Sequence, residues 1–129
     1  MRKVFLLGLA ALGLWPCLGQ AQGLTEGDFA VRTTRDLYKV CSAPASDPMY
    51  VQAREFCRGF IVAVVSYDYA ISNRKNLKQF ICEPSTTTDD QGIQTFVTWG
   101  AANLDSPKHM GEPPVVGVVR ALHAKWPCQ

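Results

Sequence analysis

Apolar residues recur at helical spacing in four stretches of the chain, and each stretch predicts one helix. The first stretch begins at Thr33 or Thr34, because either side chain can cap a helix start. Leu37, Val40 and Cys41 then lie on one face at i, i+3, i+4 spacing. This pattern predicts a helix that ends near Cys41.

The second stretch has a clear start signal and the longest apolar run. Asp47 is a candidate N-cap, and Pro48 suits the first helical position. The pattern continues to about Ser72 and is apolar nearly all round, which predicts the central and most buried helix. Gly59 weakens the middle of this helix, so we expect another helix to approach closely there.

Two further helices follow. The third begins at Thr88, with Gln91 completing a capping box, and it fades near residue 103. The fourth begins near Pro113 or Pro114 and ends before Pro127. The predicted inner face of the third helix comprises Ile93, Phe96, Val97 and Gly100, and that of the fourth comprises Val115, Val118, Val119, Leu122 and Trp126. The sequence therefore predicts an all-α domain, a small bundle of about four main helices.

The N-terminal residues have the pattern of a secretory signal peptide. A short basic start precedes the apolar run Val4–Trp15, which is too short to span a bilayer comfortably, and cleavage is expected near Ala21. Cys17 is a possible site of lipid attachment, but the bulky residues before it disfavour a lipoprotein. The other alternative is that the leader is not cleaved and anchors the protein in the membrane. We expect a cleaved leader, residues 1–21, and one exported domain, residues 22–129, that is not bound to a membrane.

The net charge of the domain argues against nucleic acid as a partner. The formal charge of +2 equals the two basic residues of the leader, so residues 22–129 carry no net charge. A neutral domain lacks the electrostatic footprint of a nucleic-acid-binding protein. The local basic cluster Asn73–Lys78 is interpreted as a solvated connection rather than a phosphate site. No Gly-rich phosphate loop is present, and the sequence predicts no cofactor.

The domain carries four cysteines, which predict disulfides. An even number of cysteines in a short exported chain is typical of a disulfide framework, and the absence of CxxC pairs disfavours zinc. Four cysteines allow three pairings. The connector before the second helix is long enough to bring Cys41 to Cys57, about 15 Å along the helix axis from Asp47. This span favours Cys41–Cys57 with Cys82–Cys128, which would staple the C-terminus.

No catalytic constellation is evident. A nucleophilic cysteine needs a free thiol of low pKa, and the four cysteines are better explained as disulfides. The two histidines, His109 and His123, accompany no GxSxG motif. Glu55 and Asp68 lie on one helix, but nothing identifies them as an acid/base pair. The sequence predicts a binding protein that is not an enzyme.

The polar loop Leu104–Glu112 is the candidate partner-binding site. It joins two well-marked helices, and loops on rigid scaffolds often carry binding. Its side chains offer both charge signs, hydrogen-bonding groups and one adaptable apolar group; they are Asp105, Ser106, Lys108, His109 and Met110. The plain alternative is a solvated loop. In that case the edge of the second helix around Tyr67 and Tyr69 is the next candidate.

The motifs of the chain resemble the Rap/Tai family of bacterial immunity proteins. They are, in order, "DLYKVC", "FCRGF" within the second helix, "CEP", "TFVTWGAAN" and the terminal "VVRALHAKWPC". The resemblance covers roughly Thr33 to Cys128. The matching positions are structural, namely Cys41, Cys57, Gly59, Cys82, Pro84, Leu122, Pro127 and Cys128.

The resemblance implies a function and a partner. Characterised members bind and block peptidoglycan amidase toxins that are delivered by type VI secretion, and several act as dimers with a loop that enters the active-site cleft of the toxin. By resemblance, the chain is a periplasmic toxin inhibitor, and a homodimer is one option. The alternative is a periplasmic helical chaperone or envelope-stress protein without a toxin partner, because a helical scaffold alone does not imply a function.

Overall fold

The computed structural model describes residues 23–129; the predicted leader, its cleavage site and Cys17 lie outside the described residues. The helices are α1 (Thr34–Cys41), α2 (Tyr50–Lys75), α3 (Asp89–Ala102), α4 (Pro107–Gly111) and α5 (Pro114–Lys125), and a short 3-10 helix (Glu26–Phe29) precedes them. Residues 23–129 contain no β-strand, only one isolated bridge between Ile81 and Pro127. The predicted all-α bundle is confirmed, with four main helices and the extra short helix α4.

The helix α1 forms the centre of the bundle. Its N-cap Thr33 accepts a hydrogen bond from the amide of Asp36, and the Asp36 carboxylate accepts one from the amide of Thr33. Its inward face consists of Thr34, Leu37 and Val40, which are at most 1 % exposed. All four other helices and the 3-10 helix contact α1.

The expectation that α2 is the central helix is wrong. Its 26 residues extend about 39 Å at 1.5 Å per residue, farther than the short neighbouring helices can cover. One face is buried, including Cys57 and Ile61, while Val51 is 68 % exposed on another. The apolar run Phe60–Val65 in the middle of α2 therefore does not prevent this helix from lying at the edge of the bundle.

The ends of α2 also differ from the prediction. The helix begins at Tyr50 rather than at Pro48, because the Asp47 carboxylate binds the amides of Leu24 and Met49, each at 2.8 Å, in a turn that precedes the helix. It continues to Lys75 and ends at Asn76, whose φ of 50° lies in the left-handed region.

The close helix approaches occur at other glycines than expected. Gly59 is exposed, and a Cβ built there meets no atom within 4 Å, so the predicted contact at this position is wrong. A Cβ at Gly100 of α3 would overlap the Tyr38 ring, and one at Gly117 of α5 would overlap the Thr34 side chain. These two glycines let α3 and α5 approach α1.

The later helices follow their start signals. Thr88 caps α3 in a capping box with Gln91, as predicted. In α5 the predicted Val118 and Leu122 are fully buried, but Val115 is 44 % exposed because it lies outside the face that meets α1 and α3. The predicted loop before α5 contains the helix α4, which starts after the cap Ser106 with Pro107 at its first position.

Two disulfides, paired as predicted, fasten the bundle. Cys41–Cys57 joins α1 to α2, and Cys82–Cys128 joins the segment before α3 to the C-terminus, with Cα–Cα distances of 5.3 and 5.0 Å. The amide of Cys82 also donates to the Trp126 carbonyl at 3.0 Å. The C-terminus is therefore held by both a covalent and a backbone contact.

Candidate functional site

The polar stretch Leu104–Glu112, which we call the α4 segment, leaves α3 and enters α5 with its ends held. On the outgoing side, the Arg35 guanidinium donates to the Leu104 carbonyl at 2.7 Å. Within the segment, Ser106 accepts from the amide of His109 at 3.3 Å and so caps α4. The segment is a folded turn of helix, and not an unstructured loop.

A small network anchors the middle of the segment to α3. His109 Nδ1 donates to Asn103 Oδ1 at 2.9 Å, and Asn103 Nδ2 donates to the Trp99 carbonyl at 2.8 Å. The rings of Trp99 and His109 lie 5.8 Å apart. Because His109 is bound on one side, its orientation is fixed before any partner arrives.

The far end of the segment is bound to α1 and α5. The Glu112 carbonyl accepts from the amide and the hydroxyl of Thr34, at 2.8 and 3.1 Å. Arg120 makes two hydrogen bonds to the Glu112 carboxylate, at 2.6 and 2.8 Å. This guanidinium holds the pKa of Glu112 below its ordinary value, so the carboxylate is charged at neutral pH.

The five residues named from the sequence occupy different environments. Asp105 and Lys108 are exposed, and Ser106 and His109 are partly exposed. Met110 is only 1 % exposed and belongs to the core, where it anchors α4. The exposed face of the segment therefore offers one acid, one base and one imidazole on a rigid backbone.

Tyr67 and Tyr69, the second candidate for partner binding, do not form one surface. Tyr67 and Tyr69 are 66 and 61 % exposed but lie two positions apart, so they face different cavities. Tyr67 lines an apolar groove between α2 and α5 together with Phe80 and Val115, and the sequence pattern did not predict this groove. The periodicity of apolar residues in helices could not predict the place of Phe80 in the groove. Phe80 lies outside the helices, directly before the bridge at Ile81.

The remaining titratable candidates have structural partners. Glu55 pairs with Arg58 at 2.9 Å, whereas the buried Asp68 accepts from backbone amides, so the two carboxylates do not form a pair. His123 Nδ1 donates to the Phe80 carbonyl at 2.7 Å.

Among residues 23–129, no group of three or more potential ligand side chains is placed to hold a metal ion. Within the same range, no helix is both long and apolar enough to cross a membrane.

Comparison with known proteins adds one finding. The family model described as Rap1a immunity proteins matches residues 33–128, from the cap of α1 to the terminal cysteine. The comparison with curated proteins and the comparison with solved structures each gave no match.

Proposed function

We propose that this chain, which belongs to the family of Rap1a immunity proteins, neutralises a peptidoglycan amidase toxin in the periplasm by covering the active site of that toxin. The family match over residues 33–128 carries the proposal, because it assigns an immunity function against a toxin protein. Immunity proteins of this family are inhibitors and not enzymes. We further propose that this toxin is delivered by type VI secretion.

The α4 segment supports the mode of inhibition. An inhibitor that enters a cleft loses less conformational entropy when its contact residues are already fixed. Asp105 and Lys108 project from a turn whose ends are held by Thr34 and Arg35, and His109 is oriented by Asn103. These exposed groups can pair with polar groups of a hydrolase cleft, and the imidazole can approach a catalytic thiol or its base.

The test uses the purified protein and an amidase encoded in the adjacent reading frame. Hydrolysis of peptidoglycan fragments is measured at increasing inhibitor concentration, and light scattering of the free protein and of the complex shows whether a homodimer forms. We expect stoichiometric inhibition. A lack of inhibition of the adjacent amidase would refute the amidase assignment. Suppression of client aggregation at low pH without any inhibition would favour the alternative, a periplasmic chaperone.

Substitutions then test the α4 segment. The variant Asp105→Ala/Lys108→Ala/His109→Ala is compared with a control that removes one acid, one base and one neutral group from exposed positions elsewhere, Glu26→Ala/Lys125→Ala/Thr86→Ala. Both variants lose the same formal charge, and circular dichroism verifies their fold. We expect the first to raise the inhibition constant roughly a hundredfold, as for central interface residues, and the second to leave it unchanged. Equal inhibition by both variants would show that the segment is not the contact.

A further inference from the structure

An apolar groove lies between the C-terminal half of α2 and α5, on a surface that does not include the α4 segment. Its volume is about 480 Å³. Its apolar lining consists mainly of Val64, Tyr67, Ile71, Phe80, Val115 and Val119. Three of these residues are exposed, at 66 % for Tyr67, 54 % for Phe80 and 44 % for Val115. Contiguous exposure of large apolar side chains is typical of an interaction surface.

The groove is preformed. Asp68 lines it, but its carboxylate already accepts from the amides of Phe80 and Ile81, at 3.2 and 3.0 Å. From the opposite wall, His123 donates to the Phe80 carbonyl at 2.7 Å. Both walls therefore fix the backbone of Phe80. A ligand in the groove therefore does not need a positive charge to pair with Asp68.

One end of the groove is basic. Arg74 and Lys75 follow Ile71 by three and four positions and so continue the groove face of α2 by one helical turn. Lys78 follows in the connection to Phe80, and residues 73–78 are all exposed. Within residues 23–129, none of these three cations lies within 4.0 Å of a carboxylate, whereas Arg120 of the groove is bound to Glu112.

We propose that this α2–α5 groove docks an amphipathic helix of a protein partner, with its apolar face in the groove and its acidic side chains against Arg74, Lys75 and Lys78. A groove between two helices suits apolar anchors at i, i+3, i+4 and i+7 of a third helix. Because residues 22–129 are neutral overall, the three unpaired cations form a local charge feature, which selects an acidic partner by complementarity.

A second copy of the chain fits this surface poorly. Every carboxylate in α1, α2 and α3 is already bound within the chain, for example Asp90 to Arg54 and Glu55 to Arg58, and α4 and α5 contain none. No α-helix among residues 23–129 therefore offers a free acidic face, and the 3-10 helix, only four residues long, has a single exposed acid, Glu26. A flat lipid surface also fits less well, because Tyr67 and Phe80 line a concavity.

The experiment measures binding of a labelled synthetic helical peptide with a Leu/Phe face and a Glu/Asp face, using fluorescence anisotropy. A peptide with Lys in place of every acid and a scrambled peptide serve as comparisons. We expect the acidic peptide to bind saturably and in a salt-dependent manner, and the other two to bind at least about tenfold more weakly. Equal binding of the acidic and basic peptides would overturn the proposal.

Variants locate the site. We expect Arg74→Gln/Lys75→Gln/Lys78→Gln to weaken binding of the acidic peptide by about tenfold and to reduce its salt dependence. The control Arg32→Gln/Lys39→Gln/Lys125→Gln removes three exposed cations elsewhere and should leave binding unchanged. Equal loss in both variants would contradict a local site. The exposed substitution Tyr67→Ser tests the apolar wall, and binding that survives it would also overturn the proposal.

Two further measurements assign the groove if another occupant is correct. A dimer detected by light scattering and lost in Tyr67→Ser would assign it to a second copy, and binding to phosphatidylglycerol vesicles without binding to the peptide would assign it to lipid. Either result overturns the proposal. The substitutions in the α4 segment described above should bind the peptide normally, which separates this test from that of the proposed inhibition.

Discussion

Replacing Asp68 by Ala tests how the chain segment before α3 is held against α2. The Asp68 side chain is nearly buried, with 6 % of the residue exposed, and its carboxylate accepts from the amide of Ile81 at 3.0 Å and from that of Phe80 at 3.2 Å. In Asp68→Ala both amides lose their acceptor. The amide of Ile81 is buried and remains unsatisfied, whereas that of Phe80 is partly accessible to water.

The expected loss follows from these two hydrogen bonds. A hydrogen bond to a charged group contributes about 1.5–3 kcal/mol, and an unsatisfied buried donor costs about 1–3 kcal/mol. Removing the buried charge offsets part of this cost. We expect Asp68→Ala to lower the free energy of unfolding by about 3 kcal/mol, a large share of the roughly 5–15 kcal/mol of a typical domain. Asp68→Asn should lose less, because its carbonyl can still accept from one amide.

The assay is urea unfolding of the oxidised protein, followed by circular dichroism. With a slope of about 1.5 kcal/mol per molar urea, the expected loss moves the midpoint by about 2 M. Asp105→Ala is the matched control, because Asp105 is exposed and its removal should change stability by less than about 0.5 kcal/mol. Hydrogen exchange should also show faster exchange at the amide of Ile81. If Asp68→Ala and Asp105→Ala unfold at the same urea concentration, the carboxylate does not satisfy these donors.

Three other predictions follow from the same structure. Gly59→Ala should raise the free energy of unfolding by about 0.5–1 kcal/mol, because the added Cβ meets open space. Gly117→Ala should lower the free energy of unfolding by about 1–3 kcal/mol, because its Cβ overlaps Thr34 of α1. Equal shifts of the two variants in thermal unfolding would contradict this. The disulfide Cys82–Cys128 joins residues 46 positions apart. Replacing both cysteines by serine should lower the free energy of unfolding by about 4 kcal/mol, according to the loop-entropy relation. An unchanged urea midpoint would exclude a stabilising role of this disulfide. The pKa of Asp28 lies at about 2 because the Lys39 ammonium hydrogen-bonds to its carboxylate. Its folded pKa is below the unfolded value, so this contribution to stability is complete above about pH 4 and is lost as the pH falls towards 2. An NMR titration should show the low pKa in the native protein and a raised one in Lys39→Gln.

The sequence determined the features that depend on near neighbours along the chain. Thr33 and Thr88 cap helices through amides three residues away, so each cap was predictable from local spacing. The two disulfides were predictable because four cysteines allow few pairings and the connector length favours one of them. The family motifs also lie in the sequence, and their match covers residues 33–128.

Part of the candidate site was also predictable from composition. The exposed Asp105 and Lys108 lie in a polar stretch between two helices that the sequence marked clearly, as expected. The sequence also contained the start signal of α4, Ser106 followed by Pro107, but a five-residue helix is too short to show an apolar period. Met110 was therefore assigned to the contact surface, although it is buried.

Only the tertiary structure decided which apolar positions face the core. Burial depends on what packs against a helix. Among residues 23–129, every other helix contacts α1, so α1 is central although α2 is longer and more apolar. The same reason explains why Gly117, and not Gly59, marks a close approach. It also explains why Tyr67, Phe80 and Val115 form an open groove: these residues lie far apart in sequence, and only the packing of α5 beside α2 brings them together.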